Sequence, residues 1–167
     1  MADEKSSELI DFDFNSDEVE IGYPKIAGGT YPFKIEKTFV TDAKSGEINP
    51  ATGAVNKNLV VEFSNHTQLT ALQKDPSKPA RVLEPGQFKL SVYCPMQDSG
   101  AMKKGQWMER ITEIHRACGL SGKPSTGNWQ NKVVAAKVVL DPERKDEKSG
   151  KTYDEGNSIK SVLPFAG

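Results

Sequence analysis

Residues 107–120 read WMERITEIHRACGL. Trp107, Ile111, Ile114 and Cys118 fall at intervals of 4, 3 and 4, which lines them along one stripe of an α-helix. Glu109, Arg110, Glu113 and Arg116 lie mostly off that stripe, and Gly119 stands where such a helix stops. The spacing predicts a helix from about Lys104 to Ala117. Everything else turns on what surrounds it, because the flanking segments alternate in twos rather than in helical steps.

On its N-terminal side, QFKLSVYCP (Gln87 to Pro95) sends Phe88, Leu90 and Val92 one way and Lys89, Ser91 and Tyr93 the other. LVVEFS (Leu59 to Ser64) reads as a second strand. In KIAGGTYPFKIEKTFVTD (Lys25 to Asp42), Tyr31, Phe33, Ile35, Lys37 and Phe39 alternate with Pro32, Lys34, Glu36, Thr38 and Val40, a strand with one buried face. Pro32 suits a strand start or an edge. The stretch from His66 to Gly86 holds three prolines and reads as an irregular excursion with one helical turn at Leu69–Gln73. After the helix, Ser121 to Asn131 is loop. Lys132 to Asp141 (KVVAAKVVLD) is a strand apolar on both faces, and Ser158 to Phe165 is a last short strand. Long connections, rich in turn residues, join strands 1 and 2 (Ala43 to Asn58) and strands 4 and 5 (Pro142 to Asn157). Three strands, one helix and two strands is the order of a mainly β, five-stranded Greek-key OB barrel, whose ligand surface is built from strands 2 and 3 and those same two loops. Other small mixed α/β folds share this order.

A chain of 167 residues, 36% hydrophobic and 27% charged, is enough for one domain with tails. No apolar run is long enough to span a membrane, and the acidic start MADEKSSELIDFDF is no secretory signal. With two cysteines, Cys94 and Cys118, in core-like surroundings, the expectation is a reduced, cytoplasmic protein without a disulfide framework. The net charge of −1 hides an asymmetry: residues 1–20 hold eight acids and one base, a net −7, while the rest holds 21 bases against 15 acids, a net +6. The division predicts an acidic, largely disordered arm over residues 1–22 and a basic domain over residues 23–167. Such a body attracts a polyanion, and the arm either competes for that surface, recruits a basic partner or serves as a solubilising tail.

Gly150-Lys151-Thr152 resembles the end of a phosphate loop, but the motif G-x-x-x-x-G-K-[ST] needs glycine at position 145, where Lys145 stands. Without it the backbone cannot aim successive N–H groups at phosphates, and the residues after Thr152 have a strand pattern rather than a helical one. Gly122-Lys123 fails likewise, with Ala117 in the glycine position and Pro124 after it. DAKSGE (Asp42 to Glu47) and DEKSGK (Asp146 to Lys151) share D-x-K-S-G, and Lys-Ser-Gly suits a hairpin tip. The second loop concentrates Arg144, Lys145, Lys148 and Lys151 with Tyr153 beyond, diluted by Glu143, Asp146, Glu147 and Asp154. Bases interleaved with an aromatic are what a single-strand groove uses, cations tracking phosphates and a ring stacking on a base. The outward positions add Lys89 and Tyr93 on strand 3, Lys34 on strand 1 and Lys57 just before strand 2. Trp107 belongs to the helix stripe and hence the core, whereas Trp129 either caps the barrel or stacks.

His66, His115, Cys94 and Cys118 show no zinc-ligand spacing, no nucleophile–base–acid constellation is legible, and neither metal nor cofactor is expected. The expectation is a binding protein rather than an enzyme.

The start IDFDF (Ile10 to Phe14), GGTYPFKIEKT (Gly28 to Thr38), the helix WMERITEIHRACGL and the ending KTYDEGNSIKSVLP (Lys151 to Pro164) together resemble the OB-fold single-stranded DNA-binding proteins of bacteriophage replication and recombination gene clusters. The resemblance spans roughly residues 10–164 and implies sequence-tolerant binding of single-stranded DNA, protecting displaced strands and assisting replication or recombination proteins. One departure stands out. Many single-strand binders end in an acidic tail that recruits partners, whereas this chain ends SIKSVLPFAG and carries its acids at the other end. A protein-interaction module on the same barrel, structural or regulatory, is the competing reading.

Overall fold

The computed structural model describes residues 9–19, 22–42, 48, 53, 55–97, 105–145, 147–153 and 155–166. The predicted helix start near Lys104 and the DAKSGE turn after Asp42 lie outside these residues. Five strands form one antiparallel sheet: β1 (Gly29–Asp42), β2 (Lys57–Asn65), β3 (Lys89–Pro95), β4 (Val133–Asp141) and β5 (Gly156–Pro164). Their order across the sheet is β3-β2-β1-β4-β5. A helix, α1 (Trp107–Ala117), lies between β3 and β4 in sequence and packs against β5 and β3. Gly119 takes a φ of 77° just past its end, the left-handed stop expected of glycine. No helix among the described residues is long and apolar enough to cross a membrane.

The long β1 serves two neighbours with its two halves. Residues 29–34 pair with β4, and residues 33–42 pair with β2. Where the halves meet, the register slips between Ile35 and Lys37. Such a bulge adds one residue to one strand, bends it and reverses the facing of the residues beyond it. Phe33 and Ile35 are therefore fully buried, as the alternation predicts, but past the slip Phe39 emerges on the outer face at 44% exposure. Pro32 is not at an edge: it pairs with Ala135 inside the central strand. Its carbonyl accepts from the His66 N–H at 3.0 Å, so the missing N–H would face exposed His66, just past the end of β2, rather than β4.

β3 and β5 are the two edges of the sheet and lie near one another, yet no backbone ladder joins them among the described residues. Side chains fill the seam instead. At one end, the Tyr23 hydroxyl donates to the Lys89 carbonyl at 2.8 Å and accepts from the Lys89 N–H at 3.1 Å. There too the Asn157 carboxamide accepts from the Ile26 N–H at 2.8 Å and donates to its carbonyl at 2.9 Å. At the other end α1 reaches the β5 backbone. The Arg110 guanidinium donates to the carbonyls of Ile159 and Lys160, at 2.8 and 2.9 Å, and the Glu113 carboxylate accepts from the Val162 N–H at 2.6 Å. Both edges thus have backbone groups satisfied without strand pairing, which meets the demand that buried polar groups find partners.

The core lies between the inner face of the sheet and α1, with Phe33, Phe63, Phe88, Ile114 and Trp129 fully buried. Trp129 resolves one alternative: its ring is in the core. His115, also buried, contacts it.

The excursion between β2 and β3 contains no helical turn. Leu69–Thr70 pairs with Val82–Leu83 as a minimal hairpin, and Leu69, Ala71 and Leu83 turn inward. The apolar positions that look helical in sequence are drawn into strand geometry by that burial. The bolt is Asn65. Its buried carboxamide donates to the carbonyls of Thr67 (2.8 Å), Leu83 (3.2 Å) and Glu84 (3.0 Å) and accepts from the Phe88 N–H (2.9 Å). Truncation in Asn65→Ala strips partners from several buried backbone groups and is expected to cost about 2 kcal/mol, since one unsatisfied buried group costs ~1–3 kcal/mol. Urea unfolding measures it; a loss within error would deny Asn65 this role.

The connection between β4 and β5 is itself a hairpin. Arg144–Lys145 pairs with Thr152–Tyr153, and Gly150 takes a φ of 70° near its tip. The Lys-Ser-Gly turn is thus a hairpin turn here, with strand after it where a phosphate loop would continue as helix.

Candidate nucleic-acid interface

The outer face of β1, β2 and β3 collects side chains from three registers. Tyr93 pairs with Val60, and Val60 with Phe39, so the three stand in one row across the sheet. Tyr93 is 51% exposed and Phe39 44%, while Val60 between them keeps only 1% of its surface. Two strand spacings put the rings about 10 Å apart. Two exposed aromatics set over a buried valine form a flat apolar step in a sheet face that is otherwise polar.

The rest of that face is ionic. Glu62 receives Lys89 at 3.6 Å and Lys37 at 3.9 Å, and Lys34 lies 3.7 Å from Glu36. The buried Ser64 hydroxyl donates to the Glu36 carboxylate. That hydrogen bond, with Lys34 and Lys89 nearby and partial burial opposing, holds the Glu36 carboxyl below the usual carboxylate range. Lys37 also lies over the Phe39 ring, 5.5 Å from its centroid. Three lysines against two carboxylates leave the lattice with a small positive excess. Half-exposed pairs of this kind are worth little to stability and exchange partners readily.

The nine residues expected from sequence divide into three groups. Lys34, Lys89 and Tyr93 share the outer face. Lys57 is the first residue of β2 and forms an ion pair with Asp42 at the far end of the same strands. Arg144, Lys145, Lys148 and Lys151 are all exposed on the β4–β5 hairpin, and Tyr153 enters its short ladder. The hairpin springs from the end of the sheet defined by the Asp141–Gly156 pair, separate from the Tyr93 row. Sequence reasoning missed Phe39 and Lys37. Their alternation pointed one way and the bulge turned them the other; the only signal in the sequence is the appearance of an exposed-type Lys37 inside an apolar alternation.

Burial pushes both free thiols, Cys94 and Cys118, up to about 11, so each is protonated at neutral pH and a poor nucleophile. His115 is held on both nitrogens: the Trp129 Nε1–H donates to Nδ1 at 3.1 Å, leaving the proton on Nε2, which donates to the Ser121 carbonyl at 3.1 Å. No group of three His, Cys, Asp or Glu residues is placed to hold a metal ion among the described residues. No protein-family model matches the chain, and no curated protein matches it in sequence.

Proposed function

We propose that this protein is a non-enzymatic, sequence-tolerant single-stranded DNA-binding protein built on an OB barrel. The observation that carries the reading is the Tyr93–Val60–Phe39 row beside the Lys34, Lys37 and Lys89 lattice. Exposed rings stack on bases of any identity, and neighbouring lysines track the phosphates. The strand order β3-β2-β1-β4-β5, with edges β3 and β5 near one another, supports the OB reading, in which the row would lie on the strand 2–3 face that such barrels use. The β4–β5 hairpin with Arg144, Lys145, Lys148, Lys151 and Tyr153 is then the second binding element, and Lys57 flanks the face from the β1–β2 end. The resemblance to phage replication and recombination proteins supplies the setting, protection of single strands in the host cytoplasm, with the acidic arm as a recruiting or competing segment.

Binding of this kind falls with salt, because each phosphate neutralised releases counterions, with a log–log slope of about −0.7 per contact for single strands. Fluorescence anisotropy of labelled single-stranded, duplex and RNA oligonucleotides across a salt series is expected to give a negative slope and preference for single-stranded DNA. Duplex affinity equal to or above that for single strands would sink the reading. The pairing of Lys34, Lys57 and Lys89 with carboxylates favours a second reading, a protein-interaction module. That reading predicts no oligonucleotide binding at any salt concentration.

A further inference from the structure

A groove of about 250 Å³ opens where the N-terminal segment crosses the excursion between β2 and β3. Tyr23, Lys25, Leu72, Lys74, Arg81 and Glu155 line it. Its charged lining residues are three cations and one carboxylate. Lys74 Nζ lies 3.7 Å from where a Cβ on Gly22 would stand, and Arg81 Nη1 donates to the Gly22 carbonyl at 3.4 Å, so two of the cations converge on one point of the chain. Lys25 reaches Glu155 at 3.9 Å, and Glu155 sits at the foot of the β4–β5 hairpin. The floor is apolar, with Leu72 and the Tyr23 ring both exposed.

The groove meets the edge strand β3 of the sheet through Tyr23. Tyr23, 61% exposed, is clasped through its hydroxyl to both backbone groups of Lys89, the residue whose ammonium ends the outer lattice on β3. A strand leaving the Tyr93 row past Lys89 meets the Tyr23 ring next and the three cations after it. The geometry points to a second subsite here: the groove takes a phosphodiester of the same single strand on Lys25, Lys74 and Arg81, with Tyr23 as the ring between face and groove. This inference rests on the single-strand reading and extends it. The sheet face alone serves a short oligonucleotide, and the groove is reached only by a longer one.

The test compares oligothymidylates of about 6 and about 30 nucleotides, bracketing the ~4–16 nucleotides one such fold covers. Wild type is set against Lys74→Ala/Arg81→Ala, and against Arg116→Ala/Lys123→Ala, which removes the same charge elsewhere; melting curves check that each is folded. The groove variant is expected to bind the long oligonucleotide about tenfold more weakly, with a salt slope shallower by about 1.4 for two lost contacts. It should bind the short one as wild type does, and the control variant should match wild type at both lengths. Equal weakening at both lengths, no weakening at either, or the same loss in the control overturns the subsite while leaving the sheet face in place. A wild type that binds neither length overturns the single-strand reading and the subsite with it.

Discussion

Trp129→Ala is expected to lower the stability of the fold by about 3–5 kcal/mol, the usual cost of deleting a buried indole. Trp129 has no exposed surface, lies in the main core cluster and donates its Nε1–H to His115, itself buried. Truncation opens a cavity and strands the His115 Nδ1 acceptor together. Small domains hold about 5–15 kcal/mol in all, so the variant approaches the unfolding threshold. Urea denaturation measures the loss, with Trp107 as the remaining fluorescent reporter. Trp129→Phe separates the two causes: it keeps much of the volume, loses the hydrogen bond and is expected to fall between wild type and alanine. A loss under about 1 kcal/mol for the alanine variant would place the indole outside the cooperative core.

Tyr93→Ala/Phe39→Ala is expected to weaken single-stranded DNA binding by at least about 30-fold, from ~1–3 kcal/mol for each base stack removed. Both rings are exposed and neither belongs to the core cluster, so stability should change little. The diagnostic is the salt dependence. No charge is removed, so affinity should drop while the log–log slope stays put, the reverse of what a lysine variant does. Tyr93→Phe should retain most of the affinity, because stacking needs the ring and not the hydroxyl. Anisotropy titrations at two salt concentrations decide it; wild-type affinity in the double alanine variant would remove the row from the site.

Regular alternation was legible and irregularity was not. Strand β3 follows its pattern, with Lys89 and Tyr93 exposed and Phe88 and Val92 buried, because nothing interrupts its register with β2. The α1 stripe is readable only in part: Ile114 is fully buried and Ile111 and Cys118 pack against the core, but Trp107, expected in the core, is half-buried and outside the core cluster, while His115 and Ala117 are buried off the stripe. The first strand defeats the same reasoning after Ile35. A bulge is a choice about pairing with a partner far along the chain, and no local periodicity records it. The hairpin at Leu69–Thr70 and Val82–Leu83 escaped for a similar reason: two-residue strands have no period to read, and Asn65, which fixes them, sits in another element. Turn chemistry fared better, since Gly150 and Gly119 both take the positive φ their contexts asked for. As for the site, the lysines and Tyr93 could be named from sequence, but not that Glu36 and Glu62 answer the sheet-face ones, because cross-strand neighbours depend on register.

The seam between β3 and β5, which no ladder joins among the described residues, makes the contact of these two edges heritable one codon at a time. A backbone ladder survives almost any substitution, because every residue brings its own N–H and C=O. Tyr23, Arg110, Glu113 and Asn157 hold this seam through side chains, and a single base change can delete any of them. Losing one would bare part of a strand edge, the template on which copies of a chain pair with each other. Variation at these four positions is therefore where a lineage of this fold would drift between monomers and strand-exchanged assemblies, without altering a residue of the outer face.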